Sequence, residues 1–173
     1  MRVYIPATFD MLAELNAAGQ LTARSGWGFA VTPALNEFYT SGDEEEIAHV
    51  AFLDAARASL RLLATGEEGA DAEAKFPHRR VVISIDAEDS AVQTHPESGE
   101  SVVKLSPAQF GMEQVAAIHV DIEDSEAETA KAIAAIDAAD LGDEDAELTV
   151  GDAEDNYLAW YDPSELRFLV ELS

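Results

Sequence analysis

Cysteine is absent from this chain, which removes disulfide frameworks, thiolate zinc sites and cysteine nucleophiles together. Any metal would have to be held by histidine and carboxylate ligands. Basic residues are also scarce: 10 Lys+Arg stand against 35 Asp+Glu, for a net charge of -25. Such a charge repels phosphate backbones and anionic lipid before contact, so direct binding to nucleic acid or to a membrane surface is opposed. No apolar run approaches the roughly 20 residues of a membrane span, and the start, Met1-Arg2-Val3-Tyr4-Ile5-Pro6, lacks the apolar core of a signal peptide. A cytoplasmic location is expected on those grounds. Gly26-Trp27-Gly28 lacks the third glycine of a dinucleotide turn, and there is neither a Walker-type lysine loop nor a serine in a nucleophile elbow. Nucleotide-dependent and serine-hydrolase chemistry are disfavoured, and no cofactor is expected.

What is present suits a single folded domain over residues 1–173. A hydrophobic fraction of 47% supplies enough apolar side chains for a continuous core in spite of the charge. The charge itself is uneven: residues 1–40 hold three acids and two bases, whereas residues 121–173 hold seventeen acids and two bases. Acidic loops are expected near 66–74 and 137–155, rich in Gly, Ala and carboxylates.

Strands followed by polar caps and helices recur along the chain. Val3-Tyr4-Ile5 runs into Thr8, which can cap a helix carrying Phe9, Leu12 and Leu15 and ending near Gly19. Trp27 to Val31 alternates large residues with Gly28 and Ala30, as in a strand lying close to another backbone. Thr32-Pro33 opens a short helix through Tyr39. Asp43 to Leu63 reads as the longest helix, acidic at its start and apolar on more than one stripe, hence touched from two sides. Ile83 to Ser90 and Ile118 to Ser125 echo each other as strands ending in acidic caps, and Glu126 to Ala139 reads as helix. Val102 to Leu105 is expected as an edge strand, Leu148 to Val150 as a short strand, and Leu158 to Tyr161 as the last strand. Asp162-Pro163-Ser164-Glu165 has the order of a helix start, so the end is read as helix, although Phe168 to Val170 also fits a strand. The expected architecture is α+β: a mixed sheet of about five strands packed by helices as a two-layer sandwich, with a ferredoxin-like variant among the options.

Several strings carry a resemblance: Arg2 to Thr8, Ala30 to Leu35, Asp54 to Leu63, His119-Val120-Asp121 and Leu158 to Tyr161. Over most of its length the chain resembles a family of uncharacterised actinobacterial proteins. The resemblance implies a cytoplasmic actinobacterial domain and implies no activity.

Alternation along the strands places Val3, Ile5, Val81, Ile83, Ile85, Ile118 and Val120 on one sheet face. The opposite face receives Arg2, Tyr4, Ser84, Asp86, His119 and Asp121, together with Tyr157 and Tyr161. Those six, Arg2 to Asp121, are the candidate ligand-binding residues. They could bind a polar ligand or, through His119 with Asp86 or Asp121, perform hydrolase-like or metal-dependent chemistry. The structural alternative, which polar strand positions favour, is a solvated face, or one closed by the long helix with Asp86 or Asp121 paired to Arg57 or Arg61. Glu45 and His49, four apart on the long helix, read as a surface pair, and His78-Arg79-Arg80 as a basic cluster offsetting nearby acids. Asp143, Asp145, Glu147, Thr149 and Glu154 sit at calcium-loop offsets, but Leu148 occupies the place of the obligatory glycine. The leading expectation is a non-enzymatic module for a protein partner or a small polar ligand. The alternatives are the His119 enzyme and an acidic mimic of nucleic acid.

Overall fold

The computed structural model describes residues 1–39, 41–65 and 78–171. The expected loop at 66–74 lies outside the described residues. The chain begins β1 (Arg2–Ala7), α1 (Phe9–Ala18), β2 (Gln20–Thr22), β3 (Trp27–Phe29), α2 (Pro33–Phe38), α3 (Glu44–Thr65) and β4 (Val81–Asp86). It continues with β5 (Val92–Thr94), β6 (Val102–Leu105), β7 (Gln109–Gly111), β8 (Val115–Asp121), α4 (Glu126–Asp140), α5 (Glu144–Glu154), β9 (Leu158–Tyr161) and α6 (Leu166–Glu171). Local chemistry sets many of these bounds. Thr8 accepts the Met11 N–H at 3.3 Å to start α1, and Gly19 at φ 73 closes it with its N–H on the Leu15 carbonyl. Thr32 accepts the Leu35 N–H at 3.1 Å, with Pro33 in the first turn of α2. Asp162, Pro163 and Glu165 form a short 3-10 turn with a reciprocal capping box, and α6 follows it, so the last described segment is helix, as expected.

Among the described residues the main sheet has seven strands in the order β5-β6-β3-β1-β4-β8-β9, and a separate ladder joins β2 to β7. Every pairing among them is antiparallel. The expectation of about five strands in a mixed sheet is therefore corrected. Three-residue strands such as β2, β5 and β7 are too short to display a period of two, and residue pattern carries no strand direction. The position of β6 is corrected too, since β5 lies outside it at the edge. β3 and β4 both run antiparallel to β1, hence parallel to each other, and α2 and α3 carry the chain across β1 between them. That split crossover is shared with ferredoxin-like sheets, but the chain order here does not follow their β-α-β-β-α-β run.

Helices cover both faces, giving three layers where two were expected. On one side Phe9, Met11, Leu12 and Leu15 of α1 and Leu166 and Leu169 of α6 pack on Val3, Ile5, Val81, Ile83, Ile85, Ile118 and Val120. Those are the seven residues that alternation assigns to the apolar face, and all seven are fully buried. Burying each such side chain is worth about 1.5–3 kcal/mol. On the other side Ala55 and Ala56 of α3 pack on Val82, while Leu60 meets Ala132 and Ile136 of α4 and Val150 and Ala153 of α5. Ser59 pins α3 to the sheet: its Oγ donates to the Ala7 carbonyl at 2.7 Å and accepts the Val81 N–H at 3.0 Å.

Gly28 of β3 leaves no room for a side chain against β1. A Cβ there would stand 2.8 Å from Val3 Cγ1 and 3.1 Å from Ile5 Cδ1. Gly28→Ala therefore overpacks the centre of the sheet and lowers stability by about 1–3 kcal/mol. Urea unfolding checks this, and an unchanged midpoint would mean that the two strands are free to move apart.

The acidic stretch 137–155 is not a loop. α4 runs to Asp140, and α5 follows with Asp143 accepting the Ala146 N–H at 2.9 Å as its cap. Neither the short strand at Leu148 to Val150 nor a calcium loop forms, because Asp145, Glu147 and Glu154 are helical. The missing counter-charge comes from α3: Arg57 pairs with Asp140 (3.2 Å), Glu147 (3.0 Å) and Glu154 (2.9 Å), and Arg61 pairs with Asp140 (2.8 Å). The pairing holds the Arg57 guanidinium above its ordinary pKa and the Asp140 carboxyl below its own. Local acid density reads as loop only while that distant arginine is out of view.

Candidate functional site

The face that alternation makes polar is partly roofed by the amino-terminal half of α3. Strand register brings its members together: Tyr4 lies opposite Ser84, Ser84 opposite Ala117, with a register shift just beyond it, and His119 opposite Trp160. Between this floor and the helix lies a cleft of about 470 Å³. Arg2, Tyr4, Ser84 and His119 line it from the sheet, Trp160 and Leu158 from β9, and Glu45, His49 and Phe52 from α3.

Aromatic rings dominate the lining. Phe52 is the hub, with its centroid 4.8 Å from the His119 ring and 5.8 Å from that of Tyr4, both edge-on, and 6.0 Å from His49 in a stacked arrangement. His119 Nε2 lies 2.9 Å from Ser84 Oγ. Among the described residues its Nδ1 and the Tyr4 hydroxyl have no hydrogen-bond partner, and neither is a fully buried unsatisfied atom, so both are left free on residues that line the cleft. Burial, reinforced by the nearby Arg2 charge, pushes the His119 imidazole down to about 4. The ring is neutral near neutral pH. Burial also raises the Tyr4 phenol, which stays protonated. The cleft thus offers the neutral hydrogen-bonding groups of Tyr4 and His119 beside aromatic rings, with the charged Arg2 and Glu45 also in its lining.

The six candidates divide. Arg2, Tyr4, Ser84 and His119 meet in the cleft. Asp86 is at its margin, bound to Arg2 at 2.8 Å, and the guanidinium holds its carboxyl below the ordinary value. Asp121 belongs elsewhere: it is buried and joined to Arg80 by bonds of 2.7 to 3.2 Å, while also accepting the Arg80 N–H at 2.8 Å and the Thr129 hydroxyl at 3.0 Å. Its reading as a ligand-binding residue is corrected to that of a structural ion pair. The partners of both carboxylates are Arg2 and Arg80, in place of Arg57 or Arg61. Arg79 pairs with Glu126 at 2.7 Å, so the basic cluster does offset acids. Tyr161 turns to the apolar core, and Tyr157 is exposed; Leu158 and Trp160 take the places expected of them. Alternation within β9 could have shown this had its register against His119 been known.

The same geometry removes the supports of the hydrolase-like reading. Neither Asp86 nor Asp121 bonds to His119, Ser84 is only 2% exposed, and an imidazole near 4 is a weak base at neutral pH. Among the described residues no three His, Asp or Glu side chains are grouped as a metal site.

A family model, a family of unknown function designated DUF6912, matches residues 1–170. The chain belongs to DUF6912. No curated protein and no solved structure matched it. For this DUF6912 member, then, the cleft itself is the guide to function.

Proposed function

We propose that this DUF6912 domain is a non-enzymatic binding module whose recognition element is the cleft between α3 and the β1-β4-β8-β9 face. The observation that carries the reading is a neutral His119 whose Nδ1, like the Tyr4 hydroxyl, has no hydrogen-bond partner among the described residues in the lining of a cleft rich in aromatic rings, while Asp86 and Asp121 are bound to arginines. Such a surface suits a small polar ligand with a planar body, or a partner's side chain of that kind: the rings supply contact area and the two polar atoms set orientation. Direct nucleic acid contact is opposed by the net charge of -25. Among the described residues no helix is long and apolar enough to cross a membrane. A cytoplasmic, actinobacterial setting belongs to the same proposal. The acidic-mimic alternative is weaker because three carboxylates of the acidic α4–α5 region, Asp140, Glu147 and Glu154, are already bound to Arg57 and Arg61.

Trp160 is 60% exposed at the cleft rim and reports occupancy directly. In a Trp27→Phe background it is the sole indole. Titration with phenol, indole-free heteroaromatics and benzamide should change its emission saturably, and His49→Ala with Tyr4→Phe should weaken the response roughly tenfold. Emission that never saturates across the panel would remove the cleft from consideration.

A further inference from the structure

β9 ends the main sheet, and among the described residues nothing pairs with its outer side. The direction of its free groups follows from its neighbour. The Asp121 N–H donates to the Arg80 carbonyl at 3.1 Å, so the backbone polar groups of Asp121 face β4. Successive residues alternate, which turns those of Val120 toward β9, where Val120 lies opposite Ala159. Ala159 therefore bonds inward, and Leu158 and Trp160 direct their N–H and C=O groups out of the sheet. Leu158 and Trp160 are also the β9 residues whose side chains line the cleft. A strand added here would lay every second side chain over the cleft rim.

The edge lacks the usual protections. β9 contains no Pro, no Lys and no bulge, and it carries the exposed Trp160. The opposite edge, β5, is three residues long and closed at each end by a 3-10 turn, Asp89–Ala91 and Pro96–Ser98. Charge selects the occupant. Residues 152–171 hold six acids and one base, with Asp155 and Glu165 exposed on either side of β9. A second copy of this edge would bring like charges together, whereas a lysine- or arginine-bearing strand would meet opposite charge and could place a cation over the Trp160 ring.

We propose that the outer edge of β9 accepts an extended, cationic segment of a protein partner by strand addition, with alternate side chains reaching the cleft. This rests on the binding-module reading and names the chemistry of its partner. The test uses the full chain, nitrogen-15 labelled, and a blocked peptide of alternating lysine and valine about six residues long, the usual strand length. Expected are saturable shifts at Leu158 to Tyr161, slowed amide exchange at Leu158 and Trp160, and roughly tenfold weaker binding when alternate peptide amides are N-methylated. Leu158→Pro removes one outward donor at the first residue of an edge strand, where proline is tolerated, and should weaken binding similarly; the N-methyl peptide gives the same answer if that variant fails to fold. Shifts scattered over the acidic surface, equal for methylated and unmethylated peptide and abolished by moderate salt, would be plain ion exchange and would overturn the proposal. Slowed exchange at the same two amides without peptide, rising with protein concentration, would overturn it in favour of a second copy. Either result leaves the cleft reading standing if small aromatics still saturate Trp160, whereas edge protection without any response to them sinks the cleft alone.

Discussion

Asp121→Ala lowers the stability of the domain by about 3–5 kcal/mol, because it leaves the Arg80 guanidinium buried without its counter-charge. Arg80 and Asp121 have side chains with no solvent exposure, and their bonds tie the start of β4 to the end of β8. The same guanidinium donates to the Asn156 carbonyl at 2.9 Å, and Thr129 adds α4 to the cluster. One carboxylate therefore fixes the junction of two strands, a helix and the turn before β9. Arg80 Nη1 already lacks a partner among the described residues, so no acceptor stands in reserve beside the guanidinium to compensate. Replacing both residues by apolar side chains of similar volume should recover much of the loss, since neither charge then has to be desolvated. Urea unfolding of the single and double variants checks the argument. A single-variant loss under about 1 kcal/mol, typical of an exposed pair, would contradict it.

The second large effect is on acid stability, through His119. Its imidazole lies near 4 in the folded protein against an ordinary value of about 6.5. Between those values the unfolded chain binds a proton that the folded one does not, so stability falls as pH drops from about 6.5 to about 4 and is unaffected by this group above that window. The difference corresponds to about 3 kcal/mol by the time pH 4 is reached. Asp54 has the opposite sign: burial raises its carboxyl above 3.8, so as pH falls the folded chain takes up that proton first and gains stability. The clean observable is therefore the difference between the wild type and His119→Gln, which should narrow steadily in favour of the variant from pH 6.5 to pH 4. Parallel stability curves would mean that the ring is accessible to water and not shielded by Phe52 and α3.

The core was the most legible part of the fold. Val3, Ile5, Val81, Ile83, Ile85, Ile118 and Val120 stand at a period of two within long strands, and all seven are fully buried. Caps were legible for the same local reason, as Thr8, Thr32 and Asp162 each act within three residues of themselves. Legibility ended where partners are remote. Asp121 carries no local mark of being bound to Arg80, forty-one residues earlier, and α5 is made possible by Arg57 from ninety residues away. Register decided the site: Arg2, Tyr4, Ser84 and His119 could be placed on one face by alternation, but Trp160 joins them only because it lies opposite His119. Phe52 and His49 come from α3, whose rotation over the sheet depends on Ala55, Ala56 and Ser59 packing against β1 and β4.

His119 is held neutral, with one nitrogen bonded to Ser84 and the other free for a ligand. Nitrogen-15 shifts of its imidazole, followed at pH 7 with and without a saturating aromatic probe, report both nitrogens at once. A single neutral tautomer is expected, with Nδ1 moving on addition of the probe and Nε2 held by Ser84 throughout. A protonated ring at pH 7, or two nitrogens unmoved while the probe saturates Trp160, would rule this arrangement out.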